Sequence, residues 1–241
     1  MHSSGGSSIN WTMVPQGDRC LLLVFGAGID VDIGLRCARA AAALRAARIQ
    51  GVTDIVPSFT TVAVHYRPGP SGAIDFHRLA DDIGNILREA QQHGAASPPG
   101  KQVDIPVCYG GERGPDLAQV AEHCGLAPAE VIALHSATPA YVFMLGFAPG
   151  APYIGVHDQR LSIGRRPTPR TLVPAGSVGI ANLQTIIYPN ASPGGWHIIG
   201  ATPAVLFAPD QEPPVLLEPG DTVRFVPISD EEFLALQRRQ T

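Results

Sequence analysis

Five consecutive apolar residues, Leu21 to Phe25, run into Gly26 and Gly28, the pattern of a buried strand that ends in a turn. From Asp32 to Arg48 the apolar positions return every three or four residues. Ile33, Cys37, Ala40, Ala41 and Leu44 form one stripe, Arg36, Arg39, Arg45 and Arg48 fall largely off it, and the alanines supply propensity, so the segment predicts a helix with a solvated arginine face. Gly51 to Val56 and Thr60 to Tyr66 are β-branched and separated by Pro57 and Ser58, which reads as two strands and a turn. Asp75 to His93 repeats the helical spacing through Phe76, Leu79, Ile83, Ile86 and Leu87. The order strand, helix, strand, strand, helix predicts a small α+β sandwich over residues 18–96. GAASPPG, Gly94 to Gly100, is the linker candidate, since small residues and two prolines keep it from joining either neighbour.

The pattern after the linker is different. Val103 to Cys108 predicts a strand, Asp116 to His123 and Pro128 to His135 predict two short helices, and Asp116 just behind Pro115 suits a helix N-terminus. Short β-branched runs between glycines and prolines follow: Tyr141 to Met144, Ser177 to Ile180, Thr185 to Ile187, His197 to Ile199, Val205 to Phe207 and Thr222 to Pro227. Many short strands with regular turn signals predict a closed barrel or a sandwich over residues 101–241, with Asp230 to Gln240 as a surface helix.

Composition narrows the function classes. The formal net charge is −4 and basic residues cluster only from Arg165 to Arg170, so neither a nucleic-acid nor a membrane surface is expected, whereas a small anion suits the three arginines there. No apolar run reaches the roughly 18 residues of a membrane span, and the N-terminus lacks a signal pattern, so a cytoplasmic location is expected. The leading MHSSGGSSIN resembles vector-derived or flexible terminal sequence, and residues 1–17 are set aside as a tail. Cys20, Cys37, Cys108 and Cys124 lack C-x-x-C spacing and the histidines lack ligand spacing, so buried thiols and no metal site are expected.

Candidate chemistry concentrates between Arg165 and Gly200. Five prolines, together with Gly176, Gly179, Gly194 and Gly195, predict short strands and shaped turns there, which hold Arg165, Arg166, Arg170, Ser177, Gln184, Tyr188, Ser192 and Trp196. Such a set suits a site for a small polar or anionic molecule, and it suits equally a barrel segment whose polar residues face water. Arg166 and Arg170 are the leading anion contacts, with an ion pair to Asp158 or Glu112 as the competing reading. Trp196 reads as a pocket wall or a core plug. GFAPGAPYIG, Gly146 to Gly155, predicts a compact loop presenting Phe147 and Tyr153. There is no G-x-S-x-G elbow, no Walker A run and no complete dinucleotide loop; GAGID at Gly26 to Asp30 lacks the third glycine. His135 is the histidine to single out, as a proton acceptor or donor near neutral pH or as a helix-end hydrogen-bonder.

PTPRTLVPAGSVGI, followed by QT, YP, SPGGW and IIGATP, resembles the family that contains the B subunit of 5-oxoprolinase, the kinase A inhibitor of sporulating bacilli (KipI) and allophanate hydrolase subunit 1. The resemblance extends through VCYGGERGPDL, ALHSATPAYVFMLGFAPGAPYIG and DQRL, and more weakly through LLLVFGAGID and IQGVTDIVPSFTTVAVHY. It implies a cyclophilin-like β-barrel for the second domain. It further implies a non-autonomous subunit of ATP-dependent 5-oxoprolinase, which opens 5-oxo-L-proline to L-glutamate with ATP bound in the assembled complex. The partners implied are a C-type protein with a second cyclophilin-like barrel and an A-type protein, with a carboxyltransferase-like component of urea degradation or an inhibitor of a sensor histidine kinase as alternatives. On this resemblance His135, Arg166 and Arg170 are the catalytic candidates. Phe147, Tyr153, Pro174, Ser177, Gln184, Tyr188, Ser192 and Trp196 are the candidates for binding an amide or lactam, with Arg166 or Arg170 on its carboxylate. The chain departs from the family's pattern at Ala151, at Asn182 to Ile187, and at Val156 and His157.

Overall fold

The first apolar run forms strand β2 (Cys20–Val24), whose Leu21 and Leu23 are fully buried. The computed structural model describes residues 11–68, 75–92 and 100–239. Strand β2 lies between β1 (Thr12–Pro15) and β4 (Thr61–Tyr66), and β3 (Val52–Pro57) completes an antiparallel sheet of order β1-β2-β4-β3. The tail boundary at residue 17 is therefore corrected. Thr12 to Pro15 pair with Val24 to Leu21, a pairing that lies beyond the reach of local sequence signals.

Helix α1 (Val31–Ala47) starts where Asp30 accepts hydrogen bonds from the amides of Asp32 (2.8 Å) and Ile33 (3.2 Å), which satisfies two of the otherwise unpaired N–H groups of its first turn. Its predicted stripe is the buried one: Cys37, Ala40, Ala41 and Leu44 pack with Leu79, Ile83 and Leu87 of helix α2 (Phe76–Gln92) and with Val62 and Val64 of β4. Small alanines on this face let the helix approach the sheet closely, so the core is built from the sheet's branched side chains. The linker candidate lies, apart from Gly100, outside the described residues, and so does His93 at the predicted end of α2. The chain divides into two compact units, Met1–Pro99 and Gly100–Thr241.

The second unit contributes strands β5 (Gln102–Tyr109), β6 (Ala140–Leu145), β7 (Pro152–Gly155), β9 (Ser177–Ala181), β10 (Gln184–Ile187), β12 (His197–Ala201) and β13 (Thr222–Pro227). They close a barrel of order β10-β7-β6-β13-β5-β12-β9. The α+β class with a closed barrel is the expected one. Every neighbouring pair is antiparallel except β13 and β5, which run parallel from Thr222 opposite Gln102 to Pro227 opposite Val107. The last strand thus lies beside the first, and closure leaves no open sheet edge. Strand β8 (Arg170–Val173) pairs with β11 (Ser192–Gly194) in a separate two-stranded ribbon.

Helices α3 (Leu117–Cys124) and α4 (Pro128–Ser136) contribute Val120, Ala121 and Val131 to the barrel's core cluster. Helix α5 (Asp230–Arg238) carries a capping box between Ser229 and Glu232 and buries Phe233 against Cys108 and Ala201. Two sequence expectations are corrected here. Val205 to Phe207 is not a strand: Phe207 makes one isolated bridge to Val215. The predicted loop from Gly146 to Gly155 is a loop only to Ala151, because Pro152–Gly155 form β7 against both β6 and β10. Cys20, Cys37 and Cys108 are buried and Cys124 is half-buried, all as free thiols.

Candidate functional site

Asp116 precedes the first turn of α3 but does not cap it. Gly114 leaves room for the turn to press on the Ile199 carbonyl, where a Cβ would collide. The Asp116 amide then donates to the Ile198 carbonyl (2.9 Å), and the Ile198 amide donates back to Asp116 Oδ2 (2.6 Å), so the carboxylate is locked to β12 and buried. Arg170, at the start of β8, grips it with both terminal nitrogens, Nη1 to Oδ2 at 2.8 Å and Nη2 to Oδ1 at 2.7 Å. Arg166 adds Nη1 to Oδ1 at 3.0 Å, and its amide donates to the Gly195 carbonyl at 2.7 Å.

Burial pushes the Asp116 carboxyl up, but the Arg170 hydrogen bonds, the Ile198 amide and the two positive charges outweigh it and hold the pKa below the usual carboxylate range. Two guanidiniums against one carboxylate leave one positive charge in excess. The ion-pair partner of both arginines is thus Asp116, and neither Asp158 nor Glu112 takes that place: Asp158 pairs with Arg160. Arg166 Nε is buried and without a hydrogen-bond partner among the described residues.

A second polar group lies inside the barrel. His135, in the last turn of α4, is fully buried, with Nδ1 2.7 Å from the Tyr109 hydroxyl and Nε2 2.9 Å from Thr185 Oγ1. His157 Nε2 is 2.5 Å from the same Thr185 oxygen. A hydroxyl has one proton, so between two neutral imidazoles Thr185 donates to one and accepts from the other. Phe225 stacks on His135 with ring centroids 4.2 Å apart. Burial drives both imidazoles toward the neutral form, His135 well below its ordinary value with a further push from His157, and His157 down to about 4. Burial likewise pushes the Tyr109 hydroxyl up. His135, expected beside a substrate, is therefore an interior hydrogen-bonder with both ring nitrogens engaged.

The remaining candidates separate into groups. Tyr188 and Trp196 are buried together with Val173, Ile186 and Ile198, and Tyr153 packs on that cluster with its ring 6.2 Å from Trp196, so Trp196 is a core plug and not a pocket wall. Gly194 passes so close over the Tyr188 hydroxyl that no Cβ fits. Ser177 and Gln184 are buried at the starts of β9 and β10, and Ser192 is half-buried in β11. Pro174 is exposed, and Phe147 is 71% exposed at a left-handed φ of 72°. Sequence reasoning missed the role of Asp116 and missed Tyr109, His157, Thr185 and His197. None stands in a local motif, and Asp116 lies 54 residues from Arg170. A lone acid behind a glycine-proline turn was the only available signal.

Beside the arginine cluster a cleft of about 430 Å³ opens between α3 and the segment from Ile163 to Pro167. Gln119, Glu122 and His123 line one side, and Arg165 and His197 the other. Arg165 stacks over the Trp196 ring at 5.4 Å.

The family model of the carboxyltransferase domain, subdomains C and D, matches residues 11–217. The chain belongs to this family. The matched span holds Asp116, both arginines and His197, and ends before β13. Among curated relatives, the B subunit of 5-oxoprolinase from Bacillus subtilis is 39% identical over 95% of this chain and 97% of its own length. The same-named protein of Escherichia coli O157:H7 is 45% identical over 77% and 82%. A crystal structure of the protein TTHA0988 matches with a TM-score of 0.75 at 36% identity, over 88% of this chain and 40% of that one, so the chain spans about two fifths of that solved chain. Among the described residues of this carboxyltransferase-domain chain, no helix is long and apolar enough to cross a membrane.

Proposed function

We propose that this chain is the B-type subunit of an ATP-dependent 5-oxoprolinase, which opens 5-oxo-L-proline to L-glutamate only in company with A- and C-type subunits. The observation that carries the reading is the near full-length identity, 39% over 95% of this chain, to a protein of that name. The arrangement around Asp116 supports it. The substrate is a carboxylate, and the excess positive charge of the Asp116–Arg166–Arg170 cluster draws an anion toward this side of the barrel. Asp116 holds both guanidiniums in place, so this charge is fixed on that side of the barrel. Opening an unstrained amide at neutral pH demands activation, which ATP hydrolysis supplies. The sequence has no Walker A run, and the nucleotide step is assigned to a partner chain.

The test is 5-oxo-L-proline-dependent ATP hydrolysis by the co-expressed subunits, with each omitted in turn. Activity that disappears when this chain is left out is the expected result. No activity in any combination, with all subunits folded and associated, sinks the reading.

A further inference from the structure

The cleft beside the arginine cluster is lined by a buried imidazole with one ring nitrogen unpartnered. His197 is 4% exposed and lines the cleft, and its Nδ1 has no hydrogen-bond partner among the described residues. The Gly164 backbone favours the protonated form of the same imidazole without outweighing burial. A neutral imidazole has one N–H and one lone pair, and the tautomer with the proton on Nε2 presents the lone pair at Nδ1. Burial, with Arg166 and Arg170 nearby, keeps the ring neutral against the opposing pull of Asp116. An unmet buried acceptor is costly, and the group that satisfies it is an N–H or O–H donor. On the same wall Arg165 is exposed and, among the described residues, in no ion pair, while its stacking on Trp196 holds the guanidinium at the rim. Gln119 offers an amide on the opposite side, and Glu122 deters a ligand with more than one negative charge.

We propose that this cleft is the substrate-holding site of the chain, taking a small monoanionic amide or lactam whose N–H donates to His197 Nδ1 and whose carboxylate pairs with Arg165. The class of ligand rests on the 5-oxoprolinase reading. The contacts rest on the cleft alone. The assignment moves the carboxylate contact from Arg166 and Arg170, which Asp116 already holds, to Arg165.

Two experiments test it. In the reconstituted complex, Arg165→Gln is expected to raise KM for 5-oxo-L-proline about tenfold, the loss of one charge-assisted hydrogen bond, with an unchanged unfolding temperature showing that the fold is intact. N-methyl-5-oxo-L-proline, which lacks the donor, should compete at least about tenfold more weakly than its parent. An unchanged KM in the variant, or an N-methyl compound that competes as well as the parent, overturns the assignment while leaving the B-type reading in place. Should the complex not turn over 5-oxo-L-proline, the full chain labelled at histidine is titrated with N-acetylglycine and with 5-oxo-L-proline. A shifted His197 imidazole resonance, absent with the N-methyl compound, keeps the cleft site without the 5-oxoprolinase reading. No shift with either probe removes both.

Discussion

Asp116 shows how much one side chain can hold. It ties α3 to β12 and fastens Arg166 and Arg170, 50 and 54 residues away in sequence. Asp116→Asn keeps the shape but leaves two guanidiniums facing a neutral amide, and the expected loss is about 3 kcal/mol of stability, the scale for removing one partner of a buried pair. A urea titration reads it, and an unchanged midpoint would show that solvent replaces the carboxylate. The three arginines were legible as a cluster because they lie within six residues. Their division into two engaged side chains and one exposed side chain was not, since it depends on where β12 and α3 bring Asp116. His135 was legible as unusual, but its burial depends on Thr185 and His157 arriving from β10 and the end of β7.

Helix α1 behaves as its pattern dictates. The stripe of Cys37, Ala40, Ala41 and Leu44 is apolar at helical spacing, and Asp30 stands where an N-cap belongs. Asp30→Ala is expected to cost about 1 kcal/mol, measured as a shift of the denaturation midpoint of the first unit, because two first-turn amides lose their acceptor. Elements whose partners are distant were harder to read. Strands β7, β8 and β11 are three or four residues each and carry or border proline and glycine, so local propensity argues for loop. They are strands because β10, β6 and each other supply the hydrogen bonds. Val205 to Phe207 failed in the opposite direction, with strand-like composition but one bridging partner.

For the molecule as a whole, the buried imidazoles set the acid response. A histidine kept neutral by folding binds fewer protons than its unfolded counterpart between its depressed pKa and 6.5, so its contribution is intact above pH 6.5 and stability falls as pH drops from there toward about 4 for His157. Asp116 adds to the fall only lower, as pH drops below 3.8 toward its depressed folded value. His157→Leu is expected to flatten the slope of stability between about pH 4.5 and 6 by one proton, about 1.4 kcal/mol per pH unit. Urea midpoints across that range measure it, and an unchanged slope would mean that His157 titrates normally. The residue order alone decided the alternation of strand and helix in the first unit, the short-stranded barrel-or-sandwich class of the second and the neighbourhood of the arginine cluster, because periodicity, turn chemistry and local clustering act over a few residues. Closure of the barrel by β13 beside β5, the engagement of two arginines by Asp116 and the unpartnered Nδ1 of His197 were decided only by the tertiary structure. Each depends on groups brought together across roughly 30 to 120 residues of chain, where burial and hydrogen-bond satisfaction, not local propensity, select the partner.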